Sequence, residues 1–186
     1  MTGTLTGPAL KEWAAVVHAL LDGRQTVLLR KGGIHEKRFE VTASRFLLFP
    51  TVAHSHAERV RPEHRDILES APADSTADEV VLRAGACVVA AVEVNRPDRL
   101  EAIAPHHIWT AESVRTDRLD FRPRHRLTVL VVSAAPLAEP VRLVRTPEHR
   151  GCSSWVQLPV DPQWAAPVHD EAILEGIAAE VRRSVG

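Results

Sequence analysis

Apolar residues fall at Leu10, Trp13, Ala14, Val17, Leu20 and Leu21, the spacing of one face of an α-helix. Pro8 suits a first-turn position and Gly23 the left-handed stop after a last turn, so the pattern predicts a helix from about Pro8 to Asp22. The period then changes. QTVLLRK, RFEV and RFLLFPT are short apolar runs bounded by polar breaks, and they predict three strands. HAERVRPEHRDILESA has a charged, helical pattern interrupted at Pro62, and PADSTAD reads as a flexible polar loop. EVVLRAGACVVAAVEV reads as two strands about Gly85. A mixture of short helices and loops follows, from RPDRLEA to TDRLDF. RLTVLVVSAAPL is continuous enough in Val and Leu to be a strand buried on both faces, PVRLV is a shorter strand and GCSSWVQLPV another. DEAILEGIAAEVRRSVG closes the chain as an amphipathic helix, with Leu174, Ile177, Ala178 and Val181 on one side. Its acids come first and its arginines last, as the helix dipole favours. The order predicts an α+β fold: a mixed β-sheet or small β-barrel with flanking N- and C-terminal helices. It lacks the alternation of a Rossmann fold.

A length of 186 residues fits a single domain over 1–186 that can bury a core without disulfide or metal support. The formal net charge of -1 excludes a global field directed at nucleic acid or membrane, so any electrostatic site must be local. Arginine dominates the basic residues. Only three lysines occur, Lys11, Lys31 and Lys37, and two of them lie in LLRKGGIHEK. No apolar run approaches the ~18 residues of a membrane span, and no secretory pattern opens the chain. With two cysteines, Cys87 and Cys152, no disulfide is expected, and a reducing cytoplasm is the expected compartment.

Chemistry is concentrated in a few places. In LLRKGGIHEK two glycines follow a strand that ends in Arg30 and Lys31, so backbone amides and fixed positive charge can face an anion. The same stretch also suits a charged hairpin turn. It is not a phosphate-binding P-loop, which needs separated glycines and a Lys-Ser/Thr pair opening a helix. In FPTVAHSHAE, His54 and His56 share a face of an extended chain, with Glu58 next in the alternation. Such a set can serve as hydrogen-bond donors, as a general base or as part of a metal site, or lie in an exposed loop. His106 and His107, being adjacent, point to different sides. Cys152 has His149 and Arg150 nearby in sequence but no Gly-x-Ser-x-Gly elbow beside it. Glu12 and three following strands permit a restriction-endonuclease-like topology. The acid expected on the second strand is present as Glu40, but the Glu-x-Lys expected on the third is absent from RFLLFPT, which has neither acid nor lysine, and HEK lies in the turn instead.

LKEWAAVVHALLDGRQTVLLRKGGI, FLLFPTVAHSH and GCSSWVQL, in that order, resemble the bacterial domain-of-unknown-function family 1802, which implies no established activity. At the level of fold, the first helix and GRQTVLLR resemble domains of the PUA and ASCH type. In those domains a Gly-x-Lys-x-x-Glu-x-Arg segment lines a cleft for nucleic acid or nucleotide. Gly23 and Arg30 hold the glycine and arginine positions, while Gln25 replaces the lysine and Leu28 the glutamate.

These readings converge on one expectation and two alternatives. RNA, DNA or a nucleotide-like anion is the expected partner, held in a basic cleft by Arg30, Lys31, Arg45, His54 and His56. Aromatic residues are few, so base stacking rests on Trp13, Trp109, Trp155 or a Phe. The first alternative is a metal-dependent nuclease or hydrolase using His54, His56 and Glu36 or Glu58. The second is a non-catalytic protein-interaction module. No cofactor motif is present and no metal site is assigned.

Overall fold

The computed structural model describes residues 5–32, 37–52 and 55–186. Its centre is one mixed sheet of six strands in the order β2-β5-β4-β3-β1-β6. The strands are β1 (Gly7–Trp13), β2 (Val27–Lys31), β3 (Arg45–Thr51), β4 (Glu79–Glu93), β5 (Leu127–Val144) and β6 (Trp155–Leu158). β1 runs parallel to β3, and the other neighbours are antiparallel. β2 and β6 are edge strands, so the sheet is open rather than a closed barrel. The helices are α1 (Ala14–Leu21), α2 (His56–Arg59), α3 (Ala111–Val114) and α4 (Glu171–Val185), with 3-10 turns at Pro62–Glu69, Ala71–Asp74 and Pro97–His106.

The expected helix from Pro8 to Asp22 is only half a helix. Gly7–Trp13 is a strand, and Trp13 passes directly into α1 as its N-cap, with ψ 138°. The reason is burial on both faces. Ala9 and Leu10 point to opposite sides of the sheet, and each is fully buried in a different apolar cluster. Successive apolar residues therefore mimic the spacing of a helix. α1 itself is buried nearly all round, through Ala14, Ala15, Val16, Val17, Ala19 and Leu20, as a helix enclosed by a curled sheet must be. Gly23 ends it at φ 77°, as its position suggests.

Two further expectations are corrected. RFEV forms no strand; Phe39 is buried there beneath the Arg30 guanidinium, 5.2 Å from the ring centroid. The paired runs on either side of Gly85, and RLTVLVVSAAPL with PVRLV, are each one long strand. Their common ladder slips at Leu82/Ala84 and at Val88/Ala90. These bulges bend the ribbon so that one half covers α1 and α4 while the other packs on Phe49, Val156 and Leu158. PADSTAD includes Asp74, which is 2% exposed and is the acceptor for Arg83 Nε at 2.7 Å. Asp74 also pairs with His18 Nε2 at 2.6 Å, tying α1 to β4.

Gly85 admits the face of Trp164. A Cβ there would lie 2.1 Å from the indole, and Arg45 stacks on the same ring with its guanidinium carbon 3.5 Å from the centroid. Gly85→Ala is expected to cost roughly 1–3 kcal/mol by overpacking. Urea denaturation checks this, and the cost should largely vanish in a Trp164→Ala background. An equal cost in both backgrounds would contradict the contact.

Candidate functional site: a cationic cavity at the strand–helix junction

The junction between β1 and α1 carries the least expected interaction of the molecule. Glu12 is 4% exposed and accepts two bonds: Trp13 N–H donates to Oε1 at 2.9 Å, and Arg30 Nη1 donates to Oε2 at 3.2 Å. Arg30 Nη1 also donates to the Lys11 carbonyl at 3.0 Å. Arg30 lies on β2, the far edge of the sheet, so this pair joins strands that are not neighbours. The sheet curls until β2 faces β1, and Arg30 closes the gap with side-chain rather than ladder bonds.

Above this pair lies a cavity of about 300 Å³ lined by Trp13, Arg30, Lys31, Asp117, Arg118, Phe121 and Arg122, with Cys152 and Ser154 at its margin. Each cation is held differently. The Lys31 ammonium donates to the carbonyls of Leu119 (3.3 Å), Phe121 (2.6 Å) and Arg122 (3.1 Å). An ammonium has three donors, so all are committed to the loop, and Lys31 offers a ligand charge rather than a hydrogen bond. Arg118 donates from Nη1 to the Asp117 carbonyl at 3.3 Å, while its buried Nε has no protein partner. Arg122 stacks over Phe121, 4.8 Å from the centroid, and its backbone is left-handed at φ 50°. A non-glycine residue there costs on the order of 1–3 kcal/mol. The bonds to its carbonyl from Lys31 Nζ and from His125 N–H (2.9 Å) offset that strain.

Cations outweigh the carboxylates that face them. Asp117 is already engaged by Arg59 Nε at 3.4 Å and by Ser113 Oγ at 3.1 Å. Burial pushes the Arg118 guanidinium below its ordinary value, with Arg30 and Arg59 adding to the push and Glu12 and Asp117 opposing it. Burial, then Arg118, lowers the Lys31 ammonium, against Asp120. Arginine stays charged under such shifts, so the site holds positive charge that its own residues leave partly unbalanced.

The sequence-derived site residues separate. Arg30 and Lys31 line this cavity. Arg45 lines a different, mainly apolar cavity of about 270 Å³ with Phe46, Val160 and Trp164. His56 is buried behind Trp13, its ring stacked at 4.4 Å on the indole, and burial followed by Arg59 pushes it below the ordinary imidazole range. His54, His35 and Glu36 lie outside the described residues. Glu58 is exposed. Among the described residues, no three His, Cys, Asp or Glu side chains gather in a group able to hold a metal ion. Cys152 is exposed.

Arg118 and Arg122 do not stand out in the sequence patterns above, although a signal is present. Residues 115–126, RTDRLDFRPRHR, are the densest arginine run in the chain. The two departures from the ASCH-type segment have local reasons. Leu28 is core, and Gln25 is 1% exposed, donating to the Val27 carbonyl at 2.8 Å and accepting from Ile108 N–H at 3.2 Å.

Fold and site together define a class: an α+β protein with an open mixed sheet and a cationic cavity where its first strand becomes a helix. The sequence model of DUF1802, described as a domain of unknown function, matches residues 9–180, and the chain belongs to that family. No curated protein matches it. Among solved structures it is similar to ASCH from Zymomonas mobilis, at 12% identity over 72% of this chain and 71% of that one, with a TM-score of 0.45. Two mutant forms of that protein match at 14% and 15% identity, each over 72% of this chain and over 72% and 73% of theirs, both with a TM-score of 0.47. Likeness at this level bears on neither ligand nor activity. No helix among the described residues is long and apolar enough to cross a membrane.

The histidines behind the site give the fold a pH dependence. His107 is 3% exposed, its Nδ1 accepts from Trp109 N–H at 3.1 Å, and burial, aided by Arg61, His106 and Arg118, lowers it to about 3. A depressed imidazole binds its proton more weakly in the folded chain. Its stabilisation is therefore complete above the unfolded value near ~6.5 and is lost as pH falls towards about 3. His56 acts in the same direction. Unfolding free energy should fall by about 1.4 kcal/mol per pH unit in this window from His107 alone. Urea melts from neutral pH to about pH 5 measure it. A flat profile would contradict the neutral His107.

Proposed function

We propose that the chain binds a phosphate-bearing nucleotide or single-stranded nucleic acid in the cavity between β2 and the 117–122 segment. One observation carries the reading: Arg118 and Arg122 line one cavity together with Arg30 and Lys31, and the buried Arg118 Nε has no protein partner. A guanidinium suits a phosphate because its planar fork donates two parallel bonds. Arg118 and Arg122 take the phosphate, Arg30 and Lys31 add charge behind it, and Phe121 presents a ring to the base. Phe121 is 53% exposed, an unusual state for a phenylalanine beside a cationic site. Base stacking on such a ring contributes about 1–3 kcal/mol. Trp13 serves as a wall, since its faces are taken up by His56, Trp109 and Arg59.

The reading differs from the sequence expectation in membership. Arg30 and Lys31 stay, as scaffold and charge. Arg118, Arg122 and Phe121 enter, and Arg45 and His56 stand outside the cavity lining.

Thermophoresis of labelled protein with uridine 5′-phosphate and with a short oligouridylate tests the proposal. Binding is expected at low ionic strength and should weaken between about 50 and 200 mM salt. Arg122→Ala, which touches no core residue, should weaken it about tenfold, the value of one charge-assisted hydrogen bond. No binding of either probe at low salt overturns the proposal, as does binding that Arg118→Ala and Arg122→Ala both leave intact.

A further inference from the structure

Lys31 stands between two cavities. Beyond the one already described lies a second, of about 460 Å³, lined by Lys31, Asn95, Arg124, His125 and Arg126 among others. Lys31 and the loop whose carbonyls it grips form the common wall. The loop then continues through Pro123 into Arg124–Arg126 and β5. Cationic side chains thus recur along one short segment, at Arg118, Arg122, Arg124 and Arg126, and serve first one cavity and then the other.

Of the basic side chains in the second cavity, Lys31 is committed to the loop carbonyls and two others have partners at the rim. Arg126 pairs with Glu93 through Nη1, at the solvent-exposed edge. His125 Nδ1 lies 3.4 Å from the Gly32 carbonyl. Arg124 is exposed and forms no ion pair among the described residues. One residue separates Arg122 from Arg124, so the chain between their Cα atoms spans at most about 7 Å. Two arginines that close, facing adjoining cavities, suit successive phosphates of one strand. They are poorly explained by a ligand with a single phosphate.

We infer that the second cavity is a subsite for the next nucleotide, so that the ligand is a single-stranded oligonucleotide crossing the Lys31 wall. This rests on the anion-binding reading of the first cavity. Arg118 and Arg122 hold one phosphate, Arg124 and Arg126 the next, and Lys31 fixes the loop that sets their spacing. Small concave sites of this size take splayed nucleotides and exclude a duplex. Charge tracking along a groove, with an aromatic ring for a base, is the general pattern of single-strand binding.

Fluorescence anisotropy with a labelled oligouridylate and a labelled oligothymidylate of about ten nucleotides, against unlabelled uridine 5′-phosphate as competitor, tests the inference. At least one strand should bind ten or more times more tightly than the mononucleotide, as about one extra charge-assisted contact requires. The R124A/R126A double variant, altered only at exposed side chains, should bring the strand's affinity down towards that of the mononucleotide. It should also reduce the salt slope by about 0.7 for each phosphate that is no longer neutralised. Strand and mononucleotide binding equally, or a double variant indistinguishable from the parent, overturns the second subsite while leaving the first cavity's reading standing. No binding of any probe at low salt overturns both.

Discussion

The Glu12–Arg30 pair is the constraint on which the rest depends. An ionised carboxylate that is 4% exposed is costly unless its charge and lone pairs are matched. Here the match comes from the far edge strand of the same sheet. Arg30 can reach Glu12 only because the bulged β4–β5 ribbon bends the sheet around α1. Its second bond, to the Lys11 carbonyl, anchors β1 just before the backbone changes from strand to helix. Curvature, strand–helix junction and cavity floor are therefore one arrangement. A pair of this kind adds little net stability over an apolar substitute, and its value lies in fixing one geometry.

That geometry concentrates positive charge. Arg30 spends Nη1 on Glu12, Lys31 spends its ammonium on three carbonyls, and Asp117 is engaged by Arg59 and Ser113. The scaffold thus uses the donors that sequence alone would assign to a ligand, while Arg118 and Arg122 line the same cavity with donors less fully committed. The left-handed Arg122 and the unpaired Arg118 Nε are the unfavourable terms. Both sit at the same cavity, where an anion would relieve the second, and local cost of this kind clusters at functional sites.

Much of this is legible in the sequence, and the failures share a cause. The α+β class, the C-terminal helix, β2, β3, the Gly23 stop and the DUF1802 family all follow from pattern or resemblance. Arg30 reads as a basic strand residue, and in the structure that strand position pairs it with Glu12. The first strand reads as helix because Ala9 and Leu10 are buried on opposite faces, so periodicity loses its power to distinguish the two. Arg45 groups with Arg30 in the sequence because both flank apolar runs. Nothing in one dimension shows that Arg45 stacks on Trp164 over the gap left by Gly85. The arginine run at 115–126 is visible, but its composition is that of any solvated loop. Only the hold of Lys31 on the carbonyls of Leu119, Phe121 and Arg122 turns it towards the cavity.

The central claim is that Arg118 and Arg122, held above a Glu12–Arg30 pair that keeps Arg30 occupied, are the ligand-facing donors. The side-chain Nε–Hε resonances of the arginines in ¹⁵N-labelled protein, followed during titration with a nucleoside monophosphate, report on this residue by residue. The account predicts saturable shifts at Arg118 and Arg122, a smaller one at Arg30 and none at Arg45. Shifts confined to Arg45, or no shift at any arginine at low salt, would contradict it.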